Sequence, residues 1–162
     1  STLFPYTTLF RSLEMSSTVP VILAECFVTG HPKTKGSLEF VTKTHVREKP
    51  GSDLWRKLVV ERLKTDAGKR NDQGRTYGPH GGRVGVRIVS YLQAPATEGN
   101  PQAWLICRFS GDVDKLARNV LDALTDSGII ADDAQVVDLF SHKRLAMPGM
   151  APGQHIQVWA IP

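Results

Sequence analysis

Cysteine is scarce in this chain. Cys26 and Cys107 are the only two in 162 residues, far apart in sequence and without metal-ligand spacing. That excludes a disulfide framework and a cysteine-based zinc site, and both are expected as free thiols in a reducing cytosol. Long apolar runs are missing too: none approaches the roughly 20 residues of a membrane-spanning helix. There is no internal repeat and no low-complexity tract. The first residues lack the basic, apolar and small-residue regions of an export signal, so a cytoplasmic location is expected. STLFPYTTLFRS instead resembles the translation of a common sequencing adapter. Residues 1–14 are therefore expected to be a non-native leader, and 15–162, beginning at Met15, the functional domain.

What is present suits a soluble globular protein. Hydrophobic residues make up 41% and charged residues 22%, which excludes global disorder and collagen, and the length suits one domain. Charge is unevenly spread. The stretch 112–138 holds seven aspartates against Lys115 and Arg118, a net −5, so the remainder carries +9 of a chain total of +4. A basic body around an acidic segment suits a protein that holds a polyanion and sets carboxylates against it; a solvated acidic helix is the plainer alternative.

The pattern predicts an α+β fold, a single small domain in which a mixed β-sheet packs with two main helices. Residues 19–29 (VPVILAECFVT) read as a strand. The loop GHPKTKG follows, with Lys33 and Lys35 placed for phosphate contact or for a solvated turn, and SLEFVTKTHV resumes extended character. Residues 53–66 read as a helix with Leu54, Leu58 and Leu63, beside Trp55 and Val59, as its apolar stripe. Residues 67–83 form a long basic loop with Lys69, Arg70 and Arg75. Residues 84–93 alternate as a strand, and AWLICRF (103–109) is expected to be another. Helix 114–127 follows, with Gly128 as its stop. A short extended piece near VVDLFSHKRL and a final strand HIQVWAI close the chain.

Candidate chemistry lies in the aspartates. Asp112 and Asp114, two apart at a strand-to-helix junction, would point to one side. Asp132 and Asp133 follow the helix and converge with them if the chain returns. Clustered carboxylates repel and need a cation; oxygen-only ligands favour Mg²⁺ or Mn²⁺ over zinc. Such ions activate water and neutralise charge on a phosphodiester, with Lys115 and Arg118 near enough to hold the phosphate. Each piece also has an ordinary role. Aspartate at a helix start caps it, Asp132 and Asp133 suit a solvated turn, and Asp122 and Asp126, four apart, suit an exposed face.

The segment GDVDKLARNVLDALTDSGIIADDAQVVDL (111–139) resembles the signature of the RusA-type Holliday-junction resolvase family, found in bacteria and their phages. The matching features are Asp112-Val113-Asp114, Asp122-Ala123-Leu124 and Asp132-Asp133-Ala134-Gln135-Val136. Outside this run the likeness thins to element order, with HPKTKGSLEF and a helix bearing an early Trp-Arg similar to phage members. The resemblance implies a homodimeric, Mg²⁺-dependent endonuclease that nicks paired strands of four-way DNA junctions and takes part in recombination and repair. It implies Asp112, Asp114 and Asp133 as catalytic metal ligands, with Asp132 beside them and Lys115 and Arg118 as the associated cations. The family pattern has Asn and then Lys where this chain has Lys115 and Arg118. Arginine binds phosphate in a bidentate manner but is a poor proton donor. Lys33, Lys35, Lys69, Arg70 and Arg75 are the candidate DNA contacts. No membrane and no organic cofactor are expected. The readings that compete with a strict junction resolvase are a broader flap or branched-DNA nuclease and an inactive junction-binding module.

Overall fold

A computed structural model describes residues 19–36, 38–40, 42–48, 50–71 and 78–162. The expected leader, the proposed start at Met15, and Arg75 lie outside the described residues. Alternating side chains build the central sheet. In β4 (Val84–Leu92), Val84, Val86 and Ile88 are fully buried on one face. The same alternation buries Ala24, Cys26 and Val28 of β1 (Ile22–Thr29) and Ile156 and Val158 of β6 (Gly153–Ala160). With β5 (Val136–Leu145) the sheet order is β1-β6-β4-β5. Neighbours are antiparallel except β4 and β5, which run parallel. A separate short hairpin pairs β2 (Leu38–Phe40) with β3 (Val46–Glu48).

Two helices cover the apolar face. From α1 (Ser52–Asn71) the core takes Trp55, Val59 and Leu63, spaced i, i+4 and i+8. From α3 (Val113–Asp126) it takes Ala117, Val120, Ala123 and Leu124. Between β4 and α3 stands a short helix, α2 (Pro101–Leu105). The α+β expectation of one mixed sheet and two main helices describes this single small domain. Gly128, at φ +74°, follows the last turn of α3 as expected. Cys26 sits in the core, and burial, followed by the nearby Asp66 carboxylate, pushes its thiol up to about 12. It is held as a thiol at neutral pH.

Several local expectations are corrected. AWLICRF is not a strand: α2 occupies its first part and a 3₁₀ turn spans Arg108–Ser110. Asn100 accepts from the Ala103 amide at 3.1 Å and Pro101 supplies a helix-ready φ, so the chain coils where its apolar content alone suggested extension. In α1 the buried stripe is one residue out of phase with Leu54 and Leu58, which are 65% and 47% exposed. That helix also runs on to Asn71, past the expected end at 66, so Lys69 and Arg70 belong to its last turn rather than to a loop. The piece at 136–145 is a full ten-residue strand.

The sheet and helices are locked by a buried polar chain. The Trp55 indole N–H donates to Gln154 Oε1 at 2.8 Å, and Gln154 Nε2 donates to Ser90 Oγ at 2.8 Å. On the opposite sheet face Gly85 faces Trp159 across the β4–β6 pairing, and a Cβ there would lie 2.2 Å from the indole. Only glycine lets that ring lie across the strand and stack on Phe140, at 6.2 Å between centroids. Replacing Gln154 by alanine strips partners from both Trp55 and Ser90. Gln154→Ala is expected to cost about 2 kcal/mol and lower the melting temperature by about 4–8 °C, measured by thermal and urea unfolding.

Candidate active site

The site is built on the face of α3 that the core leaves free. Burial of Val120, Ala123 and Leu124 turns Asp114, Arg118, Leu121 and Asp122, spaced i, i+4, i+7 and i+8, toward an open cleft of about 550 Å³. Asp133, Leu139 and Ser141 line its other side. Carboxylates from two segments of the chain, Asp114 and Asp133, thus share one cleft with the Arg118 guanidinium.

The start of α3 is held firmly. Asp112 occupies the N-cap position, yet its side chain caps no amide; its Oδ2 lies 3.1 Å from Lys115 Nζ. Gly111 precedes it at φ +87°, and a Cβ there would come within 2.8 Å of Thr34 Cγ2. Ser141 Oγ donates to the Val113 carbonyl at 3.3 Å. Asn119, buried on α3, donates through Nδ2 to the carbonyls of Lys33 at 3.1 Å and Ser52 at 3.2 Å. The Lys35 amide donates to the Lys115 carbonyl at 3.0 Å. The 31–36 loop is therefore seated along α3.

The D-D-x-Q run resolves into distinct roles. Asp132 caps the 3₁₀ turn Asp133–Gln135, accepting from the Ala134 amide at 2.7 Å. Gln135 Oε1 accepts from the amides of Ala131 at 2.8 Å and Asp132 at 3.1 Å, while its Nε2 donates to the carbonyls of His80 and Gly82 at 2.7 and 2.8 Å. That leaves the Asp133 side chain for the cleft.

Charge is sorted in the same way. Asp122 is ion-paired with Lys35, and Arg56 lies 3.7 Å from the same carboxylate oxygen. Arg56 also reaches Asp126 at 3.4 Å. Among the described residues, Asp114, Asp133 and Arg118 form no ion pair.

The sequence-predicted residues are thus partly gathered. Asp114, Asp133 and Arg118 line the cleft; Asp112, Asp132 and Lys115 are not among its lining residues. Lys35 is committed to Asp122, Lys33 is exposed on the loop along α3, and Lys69 is exposed in the last turn of α1. The side chain of Arg70 is outside the described structure, as is all of Arg75. Ser141 and Lys143 were not singled out from sequence, and Gln135 and Arg56 were noted there without the contacts they make here. The first two could have been found from the period-2 alternation that puts Leu139, Ser141 and Lys143 on one face of β5.

Among the described residues no group of three or more His, Cys, Asp or Glu side chains is placed to hold a metal ion together. The donor chemistry still suits Mg²⁺, which binds through one or two carboxylates together with water and substrate phosphate oxygens. Asp114 and Asp133 supply oxygen donors only, on a cleft open to such a substrate.

The capping role of Asp132 separates it from its neighbour. Asp132→Ala is expected to destabilise the fold by about 1 kcal/mol through the lost cap. Asp133→Ala, which removes no such bond, should stay within about 0.5 kcal/mol, as is usual for surface substitutions. Urea unfolding of the two variants checks the difference.

A search of curated proteins found no match. Residues 30–157, most of the chain, match the family described as Endodeoxyribonuclease RusA. The match runs from the loop seated along α3 to the last strand and contains every cleft-lining residue named above. The chain accordingly belongs to the RusA endodeoxyribonuclease family, nucleases of branched, Holliday-junction DNA.

Proposed function

We propose that this protein resolves four-way DNA junctions by paired nicking, as a Mg²⁺-dependent homodimer serving recombination and repair. The observation that carries this is the cleft in which Asp114 and Asp133 face Arg118, none of the three ion-paired among the described residues, in a chain of this family. The basic remainder of the chain supports a polyanionic substrate.

Asp114 and Asp133 would hold the divalent ion, Mg²⁺ or Mn²⁺, with Asp112 and Asp132 flanking them. Such an ion, when bound, supplies positive charge to a phosphodiester oxygen and acidifies water. Arg118 presents its planar fork to two oxygens of the scissile phosphate and neutralises charge developing there. Because a guanidinium keeps its proton, Arg118 acts by charge and orientation, not by proton donation. Lys115, 3.1 Å from Asp112, keeps a second cation at the start of the helix. Attack of water on phosphorus with departure of the 3′ oxygen leaves a 5′-phosphate and a 3′-hydroxyl. In a symmetric dimer two such clefts would address two opposed strands. Lys33, Lys35, Lys69, Arg70 and Arg75 would contact flanking phosphates, Lys35 by exchanging its bond to Asp122 for one to DNA.

The test uses a synthetic immobile four-way junction and a matched linear duplex, each with Mg²⁺ or EDTA. Paired nicks on the junction alone, lost in EDTA, are expected. Asp114→Asn should lower the rate by at least about 100-fold. Each of Lys33→Ala and Lys69→Ala should reduce the slope of log affinity against log salt by about 0.9. Equal cutting of flaps would establish the broader branched-DNA nuclease instead. Tight binding without cutting in any divalent ion would establish a binding module.

A further inference from the structure

Lys143 stands apart from every other charged group near the cleft. It projects from β5, half-buried, and its Nζ donates to Ser110 Oγ and to the Gly111 carbonyl, both at 2.9 Å. Neither partner is charged, and no carboxylate pairs with it among the described residues. Ammonium groups placed for stability alone are commonly left in water or matched with a carboxylate. Here the cation is spent on two neutral oxygens of the residues directly before Asp112.

Those oxygens belong to a segment that needs holding. Ser110 is itself tied down, its Oγ lying 2.6 Å from the Leu105 carbonyl and 2.9 Å from the Cys107 carbonyl. Gly111 turns the chain at positive φ, and a residue without a Cβ does little by itself to hold the backbone in one conformation. Two residues earlier on the same face of β5, Ser141 holds the Val113 carbonyl. Lys143 and Ser141 thus pin the backbone on both sides of Asp112, and Asp114 follows directly.

We propose that Lys143 is a positioning residue for the Asp112–Asp114 carboxylates. Its ammonium fixes the 110–111 backbone, so that α3 begins with both aspartates in place. The proposal rests on the nuclease reading for its kinetic consequence but not for its structural one. A misplacement of about 1 Å at a reacting group can cost about 100-fold in rate.

The experiment compares wild type with Lys143→Met, similar in shape but without charge or donors, and with Lys143→Ala. Amide hydrogen exchange at residues 110–114 is expected to quicken by about tenfold or more in Lys143→Met, with exchange in β1 and β6 unchanged. Single-turnover cleavage of the junction should fall by about 10- to 100-fold while junction affinity in EDTA stays within about twofold. Ethylammonium should restore part of the rate of Lys143→Ala; tetramethylammonium, which brings charge without N–H donors, should not. Unchanged exchange at 110–114 overturns the proposal, as does a rate loss matched by an equal loss of affinity, which would make Lys143 a DNA contact. If wild type cuts no junction, the nuclease reading fails, and the exchange comparison alone still decides the role of Lys143. Should Lys143→Met not fold, Lys143→Gln, which keeps a donor without the charge, takes its place under the same criteria.

Discussion

The burial of one face of α3 sets the geometry of everything around the cleft. Leu116, Val120, Ala123 and Leu124 are each almost or wholly removed from solvent. Burying a leucine- or valine-sized side chain contributes about 1.5–3 kcal/mol. Turning the helix by one residue would expose several of these groups and push aspartates toward the core. Hydrophobic burial, with no polar contact required, therefore aims Asp114 and Arg118 outward on a common line. Polar contacts then refine what packing has oriented. Asn119 reaches back to the 31–36 loop and to the start of α1, and Ser141 and Lys143 secure the helix at its first residues.

Electrostatics divides the acidic segment into two populations. Asp122 and Asp126 face Lys35 and Arg56, drawn from a loop and a helix far away in sequence, and serve to join α3 to α1. Asp132 spends its oxygen on a backbone amide. Asp114 and Asp133 have neither kind of partner among the described residues. Of the carboxylates that line the cleft, Asp114 and Asp133 are thus the two without an ion partner among the described residues. Arg118 adds a cation on the same cleft, with a planar fork that suits phosphate oxygens.

Legibility followed the range of the forces involved. Helix α3 and its stop at Gly128 could be read directly, because amphipathic spacing and a positive-φ glycine are local signals. The Asp132-Asp133 turn was visible for the same reason. Residues 103–109 misled because a short apolar run carries no period of its own. The informative residues were Asn100 and Pro101, just outside it. In α1, Leu54, Trp55, Leu58 and Val59 lie on neighbouring angles, and only contact with the sheet and α3 selects Trp55 and Val59 over Leu54 and Leu58. The alternation of β5 gives the face that Lys143 occupies but not its partners, which are more than thirty residues away. The pairing of Lys35 with Asp122 spans 87 positions. A loop lysine whose sequence context suits either phosphate contact or a solvated turn is paired here by a contact that only the tertiary fold creates.

The strand order has a consequence for how the molecule comes to exist. β6 is the last element in the chain, yet it lies inside the sheet, hydrogen-bonded to β1 on one side and β4 on the other. Its register joins Ile22 to Trp159 and Thr29 to Gly153, among the longest sequence separations the chain allows. Until β6 docks, β1 has no strand partner in this sheet and β4 has one open edge, each a template for pairing with another chain. Contacts of this range form slowly because a large loop must close before they stabilise anything. The final strand thus closes two open edges at once, and the integrity of the whole sheet depends on its pairing.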